Sequence, residues 1–596
     1  MDEAVLPENM STVNAKSKSN PALQSIPPRT TQYPVLQTNL KIPTAHTYDY
    51  ASYRAQGYPY LPDAKFLDEI RMLKLMQSII AKSDWHVKLF DGNIRQKWIQ
   101  EAIDHKIRKE VAEWALKELE WCAQVRDNET GIEPTGIDHV WKSDDLIPSS
   151  LHDHFLATVG ELEESLPEDF HPGTDGQVKN LIHPSLFCLV YGLSVDNNGN
   201  IINEPDALAQ IDEKAPPGFG PTRSREHPKL WSHKYQWLPA EFLVDKNNTT
   251  KIVSYINGLP IHIKGGAEMY SLLAEIFSKT IPLFEKVLSS LCLHHDLIRF
   301  PRPEGYNWWA DEDGYPPEIP EEQEEKLRDE WWKAPEGFEK ARWKYWEENF
   351  KPIPVPLPKF PEPGPLHVPN ATQIKLGGHR LQVIVKIGKT LLTPDKPQFN
   401  AGNWHVEGMA NERIVATAIY YFDSENIKDD HLRFRSGVSM YTSNFVQDDD
   451  EGAHLMYGLH RDQGMVQESG DIATRPGRLL VFPNIYQHSI GSFSLEDPTK
   501  PGHRSILVFF LIDPLRRIMS TAHVPPQDPS WYPPETTELM LEKLPTELVL
   551  KVGEGLSSFT RSLAEEHRLK LMAERTYATD AVTNEIFMGE FNLCEH

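Results

Sequence analysis

The chain has 596 residues, 39% of them hydrophobic and 25% charged, which is ample apolar material for folding but too much chain for one simple core. Its 61 basic residues against 86 acidic ones give a formal charge of −25, which repels phosphate backbones and anionic lipid surfaces, so neither nucleic acid nor membrane is an expected partner. Cys122, Cys188, Cys292 and Cys594 are widely spaced and form no CxxC pair, which argues against a disulfide framework or a zinc knuckle. With no apolar leader and no run of about 18 apolar residues, a cytoplasmic or nuclear location is expected.

In chain order, residues 1–60 are rich in Ser, Thr, Asn, Pro and Gln and read as a disordered arm. Residues 61–230 read as mainly helical. Phe66, Ile70, Leu73 and Ile80 share one stripe, and a second helix is expected from Ile94 to Cys122, with Trp98, Trp114 and Trp121 as core. Residues 231–300 begin with a pair of short strands around an AspLysAsnAsn turn. A long helix follows at about 267–293, interrupted by Pro282. Residues 301–365 form an acidic insertion or connector rich in Trp and Pro, read as a solvated face that could dock a protein partner. Residues 366–535 contain strand-like runs at 381–387, 414–422, 478–482 and 505–512, bounded by turn residues and without regular intervening helices. That pattern predicts an α+β chain whose core is a sandwich or jelly roll rather than a parallel sheet. The tail, 536–596, returns to helix.

The chemistry lies in this strand-rich region. In "GNWHVEG", residues 402–408, an extended backbone sends His405 and Glu407 to one face and Val406 to the other. An imidazole and a carboxylate so placed can be two members of a 2-His-1-carboxylate triad, which leaves positions open on a metal such as Fe(II). The spacing alone is not specific. Trp85-His86-Val87-Lys88 repeats the first three residues among helices with a lysine in place of the acid and is read as structural. His294-x-Asp296 ends a helix, where residues two apart diverge. His460-x-Asp462 lies in a loop and remains a rival carboxylate donor. Downstream, "GRLLVFPNIYQHSIGSF" supplies His488 at the head of a strand and "GHRSILVFFLIDP" supplies Arg504. A second imidazole completes the triad. A buried guanidinium can hold the distal carboxylate of 2-oxoglutarate, and an antiparallel return after His488 would bring Arg504 beside it.

The chain resembles a large, mainly fungal family of unknown function. The resemblance rests on Gly402 to Asn411 with Glu412, Tyr420 to Ile427, and Gly477 to His488, and it runs from about residue 60 to the C-terminus. The second half of that family is similar to iron(II)/2-oxoglutarate dioxygenases with a double-stranded β-helix (jelly-roll, cupin-like) core. The resemblance implies His405, Glu407 and His488 as iron ligands, Arg504 as the 2-oxoglutarate anchor, and hydroxylation of a small molecule or a protein side chain. Two departures stand out. Glu replaces the commoner Asp, and Ile506 stands where a hydroxyl often follows the arginine by two residues. Tyr420, Thr417 and Ser505 are left as candidates for the hydroxyl that meets the co-substrate. Two other readings compete with the oxygenase: a non-catalytic cupin-like interaction protein, and a metal enzyme that does not use 2-oxoglutarate, with Arg504 only an ion pair.

Overall fold

The computed structural model describes residues 36, 38, 40, 42–46, 61–204, 230–294, 296–304, 306–309, 318–331, 337–350, 352–438, 449–533 and 559–587. The arm expected over 1–60 lies almost wholly outside the described residues. So do 534–558 and 588–596 of the tail.

The N-terminal third forms α1 (Leu67–Ile80), α2 (Gly92–Asp104), α3 (Lys109–Val125) and α4 (Ser149–Ser165). The single helix expected from Ile94 to Cys122 is broken. Residues 105–108 separate α2 from α3, and Lys106 takes a φ of 62°, which a right-handed helix cannot contain. Helix α4 falls in the stretch read as mainly helical, without bounds of its own there; Leu151, Phe155, Val159 and Leu162 line its buried side at helical spacing. The long helix α5 (Gly266–His294) carries Pro282 inside its span.

The insertion holds α6 (Glu321–Trp331) and α7 (Gly337–Asn349). Among the described residues, Glu321, Glu322 and Glu325 face solvent, but Trp308, Trp309 and Trp346 do not. They are buried with Val355 and Phe360 against Phe66, Trp114 and Leu119 of the helical layer. The reading of the whole segment as a solvated face is therefore corrected: its aromatic surface contributes to a core, with the Trp308 indole N–H held by Asp449 at 2.9 Å.

The strands are β1 (Trp141–Ser143), β2 (Val178–Ile182), β3 (Ala240–Val244), β4 (Thr250–Ile252), β5 (Arg380–Leu392), β6 (Ile414–Glu425), β7 (His431–Gly437), β8 (Val466–Ala473), β9 (Leu479–Pro483), β10 (Gln487–Ile490) and β11 (Gly502–Ile512). From an edge at Glu133–Pro134, the larger, nine-stranded antiparallel sheet runs β1-β9-β6-β11-β5-β3-β4, and β2 pairs with β5 beyond the end of β3. A three-stranded antiparallel sheet runs β8-β7-β10. The structure is thus a mixture of helices and antiparallel sheets. Alternation along β5 and β11 divides the large sheet into two faces. Val383, Val385, Ile387, Phe509 and Leu511 pack with Phe155, Phe277 and Phe284 of the helices. Ile384, Val508 and Phe510 pack on the other face with Phe434 of β7 and Phe482. A last helix, α8 (Arg561–Val582), adds Ala564 and Leu571 to this second cluster. Among the described residues, no helix is long and apolar enough to cross a membrane.

Candidate metal centre

The segment around His405 is not a regular strand. It is an extended stretch joined to β10 by one antiparallel bridge, in which His405 N–H donates to His488 O (3.1 Å) and His488 N–H donates to His405 O (2.9 Å). The bridge sets the two imidazoles 4.4 Å apart, centre to centre. Glu407, two residues on, comes back to the same side, with Oε1 3.1 Å from His488 Nε2 and 3.9 Å from His405 Nε2. Donor atoms of His405, Glu407 and His488 all lie within 4.8 Å of one another. Adjacent donors on an octahedral ion with bonds of about 2.1 Å stand about 3 Å apart; Glu407 and His488 are at that spacing, and His405 stands about 1 Å wider of Glu407, a gap that side-chain rotation closes around one divalent cation.

The second contacts orient these donors. His405 Nδ1 meets the Asn403 carbonyl at 2.9 Å; a carbonyl only accepts, so the proton sits on Nδ1 and Nε2 keeps its lone pair. Glu407 is gripped through its backbone by the Asn484 side chain, which accepts from Glu407 N–H and donates to Glu407 O, both at 2.9 Å, and also donates to Ile414 O. Gly408 follows with φ 70°, and a Cβ there would lie 2.8 Å from both Glu412 Oε2 and Ile414 Cδ1. Glu412 is fully buried and accepts from Met409 N–H, Trp237 N–H and Arg575, whose guanidinium stacks 3.6 Å above the Trp237 ring. The "MANE" residues after the triad therefore tie it to α8 and to the segment Tyr235–Trp237.

Burial works against the charge on Glu407. The hydrogen bond from His488 and the positive fields of His488, His405 and Lys386 outweigh it and hold the carboxyl at about 2. Burial, then the neighbouring His488, push His405 below the usual imidazole range, although 38% of its side chain is exposed. An anionic carboxylate and a neutral imidazole are the forms a metal needs. His488 Nδ1 and the Thr417 hydroxyl are buried and have no hydrogen-bond partner among the described residues.

Asn484→Ala is expected to destabilise the fold by about 1–3 kcal/mol, since it orphans buried groups at Glu407 and Ile414. Metal affinity should fall by about ten- to a hundredfold, because Glu407 loses its support. Urea unfolding and metal calorimetry on the same preparation read both effects.

Sequence comparison sets this geometry in a family. A model described as "Protein of unknown function (DUF4246)" matches residues 109–535, and one described as "Domain of unknown function DUF4246, N-terminal" matches 33–101. The chain belongs to the DUF4246 family. No curated protein matches this DUF4246 chain. Among solved structures it is similar to a bsmA homolog from Methylobium petroleophilum PM1 (13% identity, 23% of this chain and 43% of that one, TM-score 0.15). It is also similar to the Fe(II)/α-ketoglutarate-dependent dioxygenase TqaL (9% identity, 62% and 90%, TM-score 0.18). A third likeness is to EvdO2 from Micromonospora carbonacea var. aurantiaca (13% identity, 22% and 52%, TM-score 0.12). At these scores the likenesses carry no argument about this DUF4246 chain, which spans less than half the length of the first.

The other candidates in the DUF4246 chain are not gathered at the triad. Arg504 is not paired with the strand of His488: it lies on β11 of the large sheet, three rows along from the Phe510–Thr417–Phe482 row. Its Nη1 lies 2.9 Å from both carboxylate oxygens of Asp430, between the rings of Phe493 and Tyr421. Tyr420 points to the helical layer, where its hydroxyl meets His152 at 2.9 Å. Ser505 alternates with Ile506 and falls on the same side as Leu507, toward the helices. Of the three hydroxyl candidates, only Thr417 is on the inner face, with the neighbouring Ile419 and Tyr421. Trp404 packs outside, 5.0 Å from the Arg433 guanidinium and 4.5 Å from that of Arg435. His460 lies in the loop after the helix Asp450–Tyr457, its ring 4.3 Å from that of His454 and tilted by 42°, and His86 sits in the short helix Trp85–Lys88.

Lys386 was overlooked. It sits in β5 between Val385 and Ile387, within the strand-like run 381–387, and it alternates with Ile384 onto the inner face. A lysine at an inward strand position is the signal that could have marked it.

Proposed function

We propose that this protein is an Fe(II)/2-oxoglutarate-dependent oxygenase whose two facing sheets are a double-stranded β-helix core. The observation that carries the reading is the convergence of His405, Glu407 and His488 across a single strand bridge, which supports a facial triad with open coordination positions. Iron with 2-oxoglutarate and O2 would supply the oxidant for hydroxylating a C–H bond, with succinate and CO2 as co-products. The chain's own part is to present the His405 Nε2 lone pair, the anionic Glu407 carboxylate and the His488 imidazole, whose Nε2 proton, now given to Glu407, would have to leave on metal binding, with His405 and Glu407 held by Asn403 and Asn484. Phe434 and Phe482 wall the inner side, with ring centres 6.4 and 4.9 Å from His488, and keep bulk water from it. The substrate is a small molecule or a protein side chain.

One observation favours the metal enzyme that does without 2-oxoglutarate: Arg504 is already paired with Asp430. Anaerobic titration with Fe(II), then with 2-oxoglutarate, distinguishes the readings. The oxygenase should take up one iron and develop a visible charge-transfer band on adding the keto acid. Uptake without the band would support the second reading. No uptake would sink both and leave a non-catalytic interaction protein.

A further inference from the structure

The strand register orders the inner face in rows. Ile384, Phe510, Thr417 and Phe482 are paired in succession across β5, β11, β6 and β9, and the Phe482 ring touches His488, so this row lies beneath the triad. The next row is Lys386, Val508 and Ile419. Two further rows on is Arg504, paired with Thr390 and Ser424. Rows on one face are two residues apart, or about 7 Å, so Lys386 starts one step from the row under His488 and Arg504 about 20 Å from it.

The two cations also differ in what they already hold. Arg504 Nη1 is paired with Asp430, which in turn takes the Thr474 hydroxyl, and Arg575 is paired with Glu412 and Arg568 with Asp169, although the Nε of each guanidinium is buried without a hydrogen-bond partner among the described residues. Lys386 has no carboxylate within ion-pair distance and no hydrogen-bond partner among the described residues. Its side chain is nonetheless only half-buried, beside His405 and Glu407, whose titration its field shifts. The nearby Glu407 carboxylate lies beyond ion-pair distance and faces the metal ligands, so the Lys386 ammonium keeps its donors open for a ligand's negative charge.

Resting on the oxygenase reading above, we infer that Lys386, and not Arg504, receives the distal carboxylate of 2-oxoglutarate. The co-substrate's keto-acid end lies at the triad, and its carbon chain runs along the inner face over Val508 to the β5 ammonium. Arg504 and Arg575 add positive potential around Lys386, so an arriving carboxylate fills a place the surrounding charges favour. The buried, unpartnered Thr417 hydroxyl in the row under the triad is the nearby neutral partner for the same ligand.

The test compares 2-oxoglutarate with 2-oxovalerate, which keeps the keto acid but lacks the distal carboxylate, binding anaerobically to the Fe(II)-loaded full-length protein. Calorimetry and the charge-transfer band are the readouts. Wild type should prefer 2-oxoglutarate by about ten- to a hundredfold, the worth of one charge-assisted hydrogen bond. Lys386→Met should bind iron normally and bind both keto acids alike, while Lys386→Arg should recover part of the preference. An unchanged preference in Lys386→Met would overturn the assignment and leave the oxygenase reading standing. Iron uptake by wild type with no affinity for either keto acid would remove the oxygenase reading itself, and the assignment with it. Should Lys386→Met bind no iron, the preference in Lys386→Arg decides: one equal to that of an unrelated charge-neutral core variant counts against Lys386.

Discussion

Alanine at His405 or at His488 is expected to lower metal affinity by at least about a hundredfold, because loss of a direct ligand exceeds the ten- to hundredfold that outer contacts command. The two variants should differ in stability. His405 is 38% exposed and its ring makes one hydrogen bond, to Asn403, so its removal leaves the fold nearly unchanged. His488 is 3% exposed, touches Phe434 and Phe482, and supports Glu407, so its removal opens a cavity and strands a buried carboxylate. His86→Ala, which alters the look-alike Trp-His-Val segment, should leave metal binding untouched. Calorimetry with Fe(II) or Mn(II) under argon, together with the metal-induced rise in Tm, reads all three. Wild-type affinity in His405→Ala would remove the metal centre from consideration.

How far this centre could be read from sequence depends on the range of each interaction. The four strand runs between 381 and 512 are legible, since alternation and turn residues are local signals. Convergence of His405 and Glu407 is legible as well: a two-residue spacing needs only an extended backbone, and one bridge to His488 is enough to give it. What fills a cation is not local. Asp430 stands 74 residues before Arg504, and nothing near "GHRS" announces it. Lys386 was hidden by the opposite error, a charged residue averaged into the hydrophobicity of its neighbours. The Trp-rich insertion misled for a similar reason: charge density between 301 and 365 suggests solvent, while burial is decided by where Trp308 and Trp346 land, and they land on the helical core.

The same long range governs the second large effect, at Arg299. Replacing it with methionine is expected to cost about 3–5 kcal/mol at pH 7.5, because it leaves buried acids without their cation. The guanidinium, 1% exposed, reaches Glu118 at 2.6 and 2.8 Å, Asp138 at 2.8 and 3.2 Å, and Glu69 at 3.4 Å, joining α1, α3 and the loop before β1. Lys65, 3.6 Å from Glu69 and 3.5 Å from Asp138, is the only other cation close to these acids among the described residues and cannot balance three carboxylates. The sign of the pH dependence separates this account from simple loss of packing. Burial opposes the charge on Asp138, but Arg299 and Lys65 hold its carboxyl well below the usual range, so wild type keeps this stability above the unfolded pKa and loses it only in strong acid. Burial already raises Glu118 even beside Arg299; without the cation, these acids should bind protons more readily folded than unfolded. Acidification then helps the variant relative to wild type. Urea unfolding at pH 7.5 and 5.5 should show the gap narrowing, and Glu118→Gln should restore part of the loss on the Arg299→Met background. A gap that widens on acidification would make Arg299 a packing residue instead. Because the Tyr486 hydroxyl donates to Asp138 O at 3.0 Å, two residues before His488, loosening this cluster should also weaken metal binding in proportion.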